Sequence, residues 1–177
     1  MSGEDNAQKQ RRWKKLDVSL GAEPVADRKL ACCIPIQRDG EGSVPRVLLV
    51  SSRSTIGDAV ERSLVFPKGG WEEHETVDEA AVREAFEEAG VSGRLDTPHV
   101  AVYEYDSEKT VHGVCRNRIV FVYILHVDVE YDDWPEKDAR ERYWMDLSDA
   151  GRRLKHEWMR AALDHVIQEN GWTCPAP

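Results

Sequence analysis

The sequence predicts an α/β fold in which a mixed β-sheet is sandwiched between helices, and three observations predict it. Apolar segments of strand length recur along the chain, notably RKLACCIPIQ (28–37), RVLLVSS (46–52) and the alternating stretch from Asn117 to Val129. A helix-periodic segment, Val77 to Ala89, lies between these strands. A second helical stripe follows them from His156 to Asn170.

Residues 1–26 read as a mobile N-terminal tail, 27–171 as the domain and 172–177 as a C-terminal tail. The basic cluster from Lys9 to Lys15 reads first as a solvated part of that tail, with a nuclear-import or anionic-surface patch as the other reading. Arg28 to Gln37 is the first strand, and Pro35, which lacks an N–H, marks an edge or a bulge. Arg46 to Ser52 is its partner across a Gly-rich turn, and a loop runs from Arg53 to Arg62. The short apolar run Ser63 to Phe66 ends at Gly69 and Gly70, and an acidic loop leads into the first helix. Thr76 is its N-cap, Glu79 completes a capping box, and Gly90 sits where a left-handed C-cap is wanted. Val100 to Tyr105 is a strand, Asp106 to Gly113 a flexible hairpin loop, Asp132 to Arg140 an acidic connection and Arg142 to Leu147 a short strand. Ser148 caps a turn through Leu154. In the final helix Trp158, Met159, Ala162, Leu163 and Val166 form a stripe that reads as core rather than as a cofactor contact.

A chain of 177 residues fits one domain with a substantial core. Its net charge of −9 is concentrated. Glu72 to Glu88 holds eight acids against Arg83, and Glu130 to Asp138 five acids against Lys137. That balance argues against general nucleic-acid binding. No apolar run reaches membrane-spanning length, and the polar N-terminus lacks the apolar centre of a signal peptide. The four cysteines, Cys32, Cys33, Cys115 and Cys174, have no metal-binding spacing. Cys32 and Cys33 read as small core hydrophobes on opposite strand faces. A reducing intracellular compartment follows, the cytoplasm first and the nucleus second.

Glu84, Glu87 and Glu88 stand at i, i+3 and i+4, so three carboxylates share one face of the first helix. Like charges at this spacing cost roughly a few tenths of a kcal/mol per pair, and the helix dipole disfavours them near its C-terminus. A solvated acidic face would be the ordinary reading of such residues. A hard-cation site accounts as well for the flanking glycines and the single Arg83. The stretch also resembles the Nudix box, G-x5-E-x7-R-E-U-x-E-E-x-G-U. Gly69, Glu75, Arg83, Glu84, Glu87, Glu88, Gly90 and Val91 fall on its fixed positions, and Ala85 is a small residue at the aliphatic one. The resemblance implies a three-layer α/β/α sandwich.

It also implies a Mg²⁺-dependent hydrolase, with Mn²⁺ as a substitute. Glu84 and Glu88, with Glu87, would hold the cation, and Glu87 would take a proton from the attacking water. Arg83 would orient the carboxylates, with Glu75 as its partner. The Lys68-Gly69-Gly70 turn would bring a backbone carbonyl to the cation. Beyond the box the chain is similar to the diphosphoinositol polyphosphate phosphohydrolases, which also cleave diadenosine polyphosphates. Arg28-Lys29, VLLVSSR (47–53), FPKGGWE, RNRIVFVYIL (116–125) and RERYW (140–144) carry this similarity, and the PKGG turn is of the plant and fungal type. The similarity implies that Arg28, Lys29, Ser52, Arg53, Gly70 and Arg118 grip a highly phosphorylated small molecule, with Arg140 and Lys155 as further candidates. Each has an ordinary alternative: plain solvation for alternating arginines on a strand, and complementing a helix end for Lys155. The insert STIGDAVERS (54–63) displaces the aromatic residue this family carries there.

Two other functions compete. A pyrophosphatase for ADP-ribose, nucleotide sugars or capped RNA would want Tyr103, Tyr105 or Tyr123 lining the pocket for base stacking. A module that senses polyphosphate without cleaving it would have lost a catalytic glutamate, and none is lost.

Overall fold

The computed structural model describes residues 13–18, 24–40, 42–52, 64–111 and 114–173. Among them are nine strands and three helices. The strands are β1 (Trp13–Lys15), β2 (Arg28–Gln37), β3 (Arg46–Ser51), β4 (Leu64–Val65), β5 (Lys68–Gly70), β6 (Val91–Leu95), β7 (Ala101–Val111), β8 (Val114–Glu130) and β9 (Arg142–Met145). The helices are α1 (Val77–Ala89), α2 (Leu147–Arg153) and α3 (Glu157–Glu169).

The strands form one mixed sheet in the order β1-β7-β8-β2-β3-β4, with β5 on β2, β6 on β8 and β9 on β3. At its centre β2 and β8 run parallel, in register from Arg28 opposite Arg118 to Ile36 opposite His126. Both strands are apolar on both faces, as strands covered on two sides must be. The Cys33 thiol donates to the Ala81 carbonyl at 3.1 Å, so odd residues of β2 face α1. The other face carries Tyr103 of β7, whose ring packs on Trp158 of α3 at 6.1 Å. Helices therefore cover both faces, and the fold is the three-layer sandwich. Ala80, Ala81, Ala85 and Ala89 are fully buried, and their small size brings α1 close to the sheet. The stripe on α3 is buried throughout, as its periodicity predicts.

The helix α1 has the predicted bounds. Thr76 and Glu79 make the reciprocal capping box, and Gly90 adopts φ 62° and ψ 39°. Several other boundaries move. Trp13–Lys15, expected within the mobile tail, pairs with β7 as an edge strand, and its Trp13 ring lies 5.8 Å from that of Tyr103. Pro35 sits in a central strand rather than at an edge. Cys33 N–H turns to the Pro67 carbonyl at 3.0 Å. Pro35 points the same way, into the gap between the partners of Leu30–Cys32 on β5 and Ile36–Gln37 on β3, where no N–H is required. The strand β7 runs on to Val111, into the stretch Asp106 to Gly113 expected as a loop, with pairing at Asp106, Thr110 and Val111 on either side of a register shift. The strands β5 and β6 were not expected: each is short and carries glycine, which weakens the pattern. Asp146, not Ser148, caps α2. The insert 54–63, the cluster Lys9 to Arg12, Cys174 and the Cys115 side chain lie outside the described residues.

Candidate functional site

The acidic face of α1 lies against β5 and is held there by one arginine. Arg83 donates from Nε to Glu75 Oε2 at 2.9 Å and from Nη2 to Glu75 Oε1 at 2.7 Å. Its Nη1 reaches Glu84 at 2.9 Å and Glu87 at 3.2 Å, and Nη2 also reaches the Gly70 carbonyl at 2.9 Å. The hydrogen bonds with Glu75 push the Arg83 pKa up and hold the Glu75 carboxyl below its usual range. Glu84 shifts the other way: burial raises its pKa although Arg83 opposes the shift. Glu87 is the most open of the three carboxylates, at 38% side-chain exposure against 10% for Glu84 and 8% for Glu88.

Glu88 is fixed at both oxygens. Oε2 accepts the Lys68 backbone N–H at 2.9 Å, and Oε1 accepts from Arg140 Nη2. Arg140 also donates to Glu136 at 2.6 Å and to the Ser51 carbonyl at 2.8 Å. Sequence reasoning offered Arg140 as a further candidate for gripping phosphate; its side chain is 8% exposed and engaged by two carboxylates. Lys68 is half-buried, and desolvation lowers its side-chain pKa against the pull of Glu88.

The donor set suits a hard divalent cation such as Mg²⁺ or Mn²⁺, because Glu84, Glu87 and Glu88 offer carboxylate oxygens beside a glycine strand. Gly69 shows how close the fit is: a Cβ there would stand 2.0 Å from Glu84 Oε1, so only glycine leaves room for that carboxylate. Among the described residues no three ligand-type side chains converge as a ready-made metal cage.

The cations predicted to grip phosphate divide between the two sheet faces. Arg28 and Arg118 are register partners across the parallel pair and share the face away from α1. The Arg28 guanidinium lies over Gly70, where a Cβ would stand 2.7 Å from Nη2. Arg118 Nε is buried with no hydrogen-bond partner among the described residues. Lys29 turns to the opposite face and lies 5.5 Å over the Trp71 ring. Ser52 is half-buried at the end of β3, Lys155 is exposed between α2 and α3, and Arg53 lies outside the described residues. Tyr105 stacks on Trp158 at 5.2 Å, and Tyr123 packs 5.9 Å from His99, so both rings belong to the core and its cover.

Sequence reasoning missed Arg142 and Glu136. Arg142 donates to the carbonyls of Ala89 and Gly90 at 3.2 and 3.3 Å, and so places positive charge at the C-terminus of a helix with no basic residue in its own last turn. Its guanidinium stacks on Trp134 at 4.2 Å. The i, i+4 spacing of Glu136 and Arg140 was the available signal. Nothing local pointed to Arg142.

Residues 27–166 match the family described as the NUDIX domain. The chain is 43% identical over 124 residues to "Nudix hydrolase 12, mitochondrial" of Arabidopsis thaliana, covering 69% of this chain and 58% of that protein. It is 34% identical over 135 residues to "Diphosphoinositol polyphosphate phosphohydrolase 3-alpha" of Mus musculus, covering 75% and 73% respectively. Among solved structures, a NUDIX hydrolase from Nitrosomonas europaea shares the fold, with a TM-score of 0.61 at 17% identity over 84% of this chain and 92% of that one.

Proposed function

The chain belongs to the NUDIX domain family, and on that premise we propose that it hydrolyses the phosphoanhydrides of diphosphoinositol polyphosphates, diadenosine polyphosphates or both. The 34% identity to a protein named for the first of these substrates supports this choice. The observation that carries the reading is the junction at Gly70. Its carbonyl accepts from Arg83 of the acidic site, while Arg28 of the basic face lies against its α-carbon. A polyphosphate bound by Arg28 and Arg118 is thereby brought to the carboxylates across the width of one strand.

In this reading Glu84 and Glu88 hold the cation, Mg²⁺ or Mn²⁺, and Glu87 accepts a proton from the attacking water. Glu87 suits that role because it is the most exposed of the three and Arg83 reaches it at 3.2 Å, farther than the 2.9 Å to Glu84. Arg83 and Glu75 keep the carboxylates in place. A bound cation would neutralise phosphate charge and acidify the water. Arg28 and Arg118 bind phosphate oxygens through charge-assisted hydrogen bonds. We keep the cytoplasm, with the nucleus, as the compartment, with the mitochondrion as the alternative that the name of the Arabidopsis relative raises. No helix among the described residues is long and apolar enough to cross a membrane.

The test is phosphate release with Mg²⁺ across diphosphoinositols, diadenosine polyphosphates and ADP-ribose. Faster turnover of either of the first two supports the reading. Preference for ADP-ribose selects the nucleotide alternative, for which the half-buried Trp71 beside Glu75 is the aromatic available. Binding without release selects the sensing module.

A further inference from the structure

Two of the carboxylates proposed to hold a cation are each joined to an arginine, and each arginine has a second carboxylate behind it. Arg83 joins Glu84 and is backed by Glu75, all three within the box. Arg140 joins Glu88 and is backed by Glu136, both far outside it. We infer that Arg140 and Glu136 are a positioning pair for Glu88. Arg140 aims and neutralises the Glu88 carboxylate while no cation is bound, and Glu136 keeps Arg140 paired once Glu88 gives its charge to a cation. This rests on the reading of Glu88 as a cation ligand.

The physical reason is the depth of the guanidinium. Arg140 is 8% exposed, and a buried charge that loses its partner is strongly destabilising. A cation that draws on Glu88 would leave Arg140 in that condition if Glu88 were its sole carboxylate. Glu136, 2.6 Å away and 15% exposed, removes the difficulty. The two residues lie on one turn, since Arg140 N–H donates to the Glu136 carbonyl at 2.9 Å. That turn is fastened to α1, because Glu136 N–H donates to the Glu87 carbonyl at 3.1 Å and Tyr131 N–H to the Gly90 carbonyl at 2.8 Å. Glu88 cannot swing clear either, with Oε2 on the Lys68 N–H. Arg140 thus acts through Glu88, as a positioning residue.

The experiment is a titration of the full chain with Mn²⁺ alone, following free ion by electron paramagnetic resonance, for the parent, E88Q, E136Q, R140M and E136Q/R140M. Weaker binding in E88Q supports the cation reading, and parent-like binding in E88Q overturns that reading and this inference with it. With E88Q impaired, E136Q should weaken Mn²⁺ binding about tenfold or more, since Arg140 must then hold Glu88 or lie unpaired. E136Q should have no further effect in the R140M background. Binding within about twofold of the parent in E136Q overturns the pair. So does an E136Q effect that persists without Arg140, which would make Glu136 a direct, long-range charge. Should R140M fail to fold, the isosteric E136Q decides alone. A conservative variant, R140K, that binds Mn²⁺ like the parent but raises substrate KM at saturating metal returns Arg140 to the role of phosphate grip.

Discussion

The division of labour among three glutamates on one helix comes from what touches each. Glu84 is pressed against Gly69 and bound by Arg83, Glu88 is held at both oxygens, and Glu87 is left comparatively open. Glu87→Gln keeps the shape and removes the proposed base. It should lower turnover at saturating Mg²⁺ by roughly 10² to 10⁴ with the fold intact, and turnover within threefold of the parent would exclude Glu87 as the base. Gly69→Ala acts on Glu84 without touching its charge. A methyl 2.0 Å from Oε1 cannot be accommodated unless the carboxylate moves. The Mg²⁺ concentration giving half-maximal rate should rise about tenfold, corresponding to about 1.4 kcal/mol of lost cation binding. An unchanged metal requirement would mean that Glu84 is not a ligand.

At the scale of elements, β6 shows how a short strand is kept in register despite a bulge between Ser92 and Gly93. Asp96, just beyond it, accepts from His126 of β8 at 2.8 Å and from Arg94 at 2.6 Å. Burial works against the charged carboxyl, but those hydrogen bonds win and hold its pKa below the ordinary 3.8. A depressed carboxyl stabilises the fold above that ordinary value, and the contribution is lost as pH falls from there through the lower value of the folded state. Asp96 is about a third exposed, so Asp96→Asn should cost only about 0.5 kcal/mol at about pH 5.5 and less near pH 2.5. Melting curves of parent and variant at the two pH values check this, and a difference that does not shrink in acid would place the effect elsewhere. The same element marks the limit of sequence reasoning. α1 was legible to the residue because its caps, periodicity and box are local signals. β5 and β6 were not, since glycine removes the side chains that carry a strand pattern and their pairing is decided by distant strands. Arg140 was found without its partners, because Glu88 and Ser51 are 52 and 89 residues away.

For the whole molecule, the sheet separates neighbouring cations by face. Arg28 and Lys29 are adjacent in sequence, yet alternation sends one toward Arg118 and the other toward Trp71. If the basic face reads phosphate, Arg28→Ala and Arg118→Ala should each raise KM for a diphosphoinositol several-fold and flatten its dependence on ionic strength, because charge-assisted contacts are screened. Lys29→Ala should leave both nearly unchanged. KM measured against salt for the three variants decides, and equal effects from Arg28 and Lys29 would remove the distinction between faces. The long reach from α1 to its arginines also has a consequence in time. Arg140 meets Glu88, and Arg142 meets Gly90, across 52 residues of chain. A ribosome adding about 5–20 residues per second needs about 3–10 s to make that interval. For those seconds the nascent helix has its glutamates and Arg83 but neither Arg140 nor Arg142, so Lys68, Arg83 and divalent ions of the surrounding medium are the counter-charges Glu88 can meet.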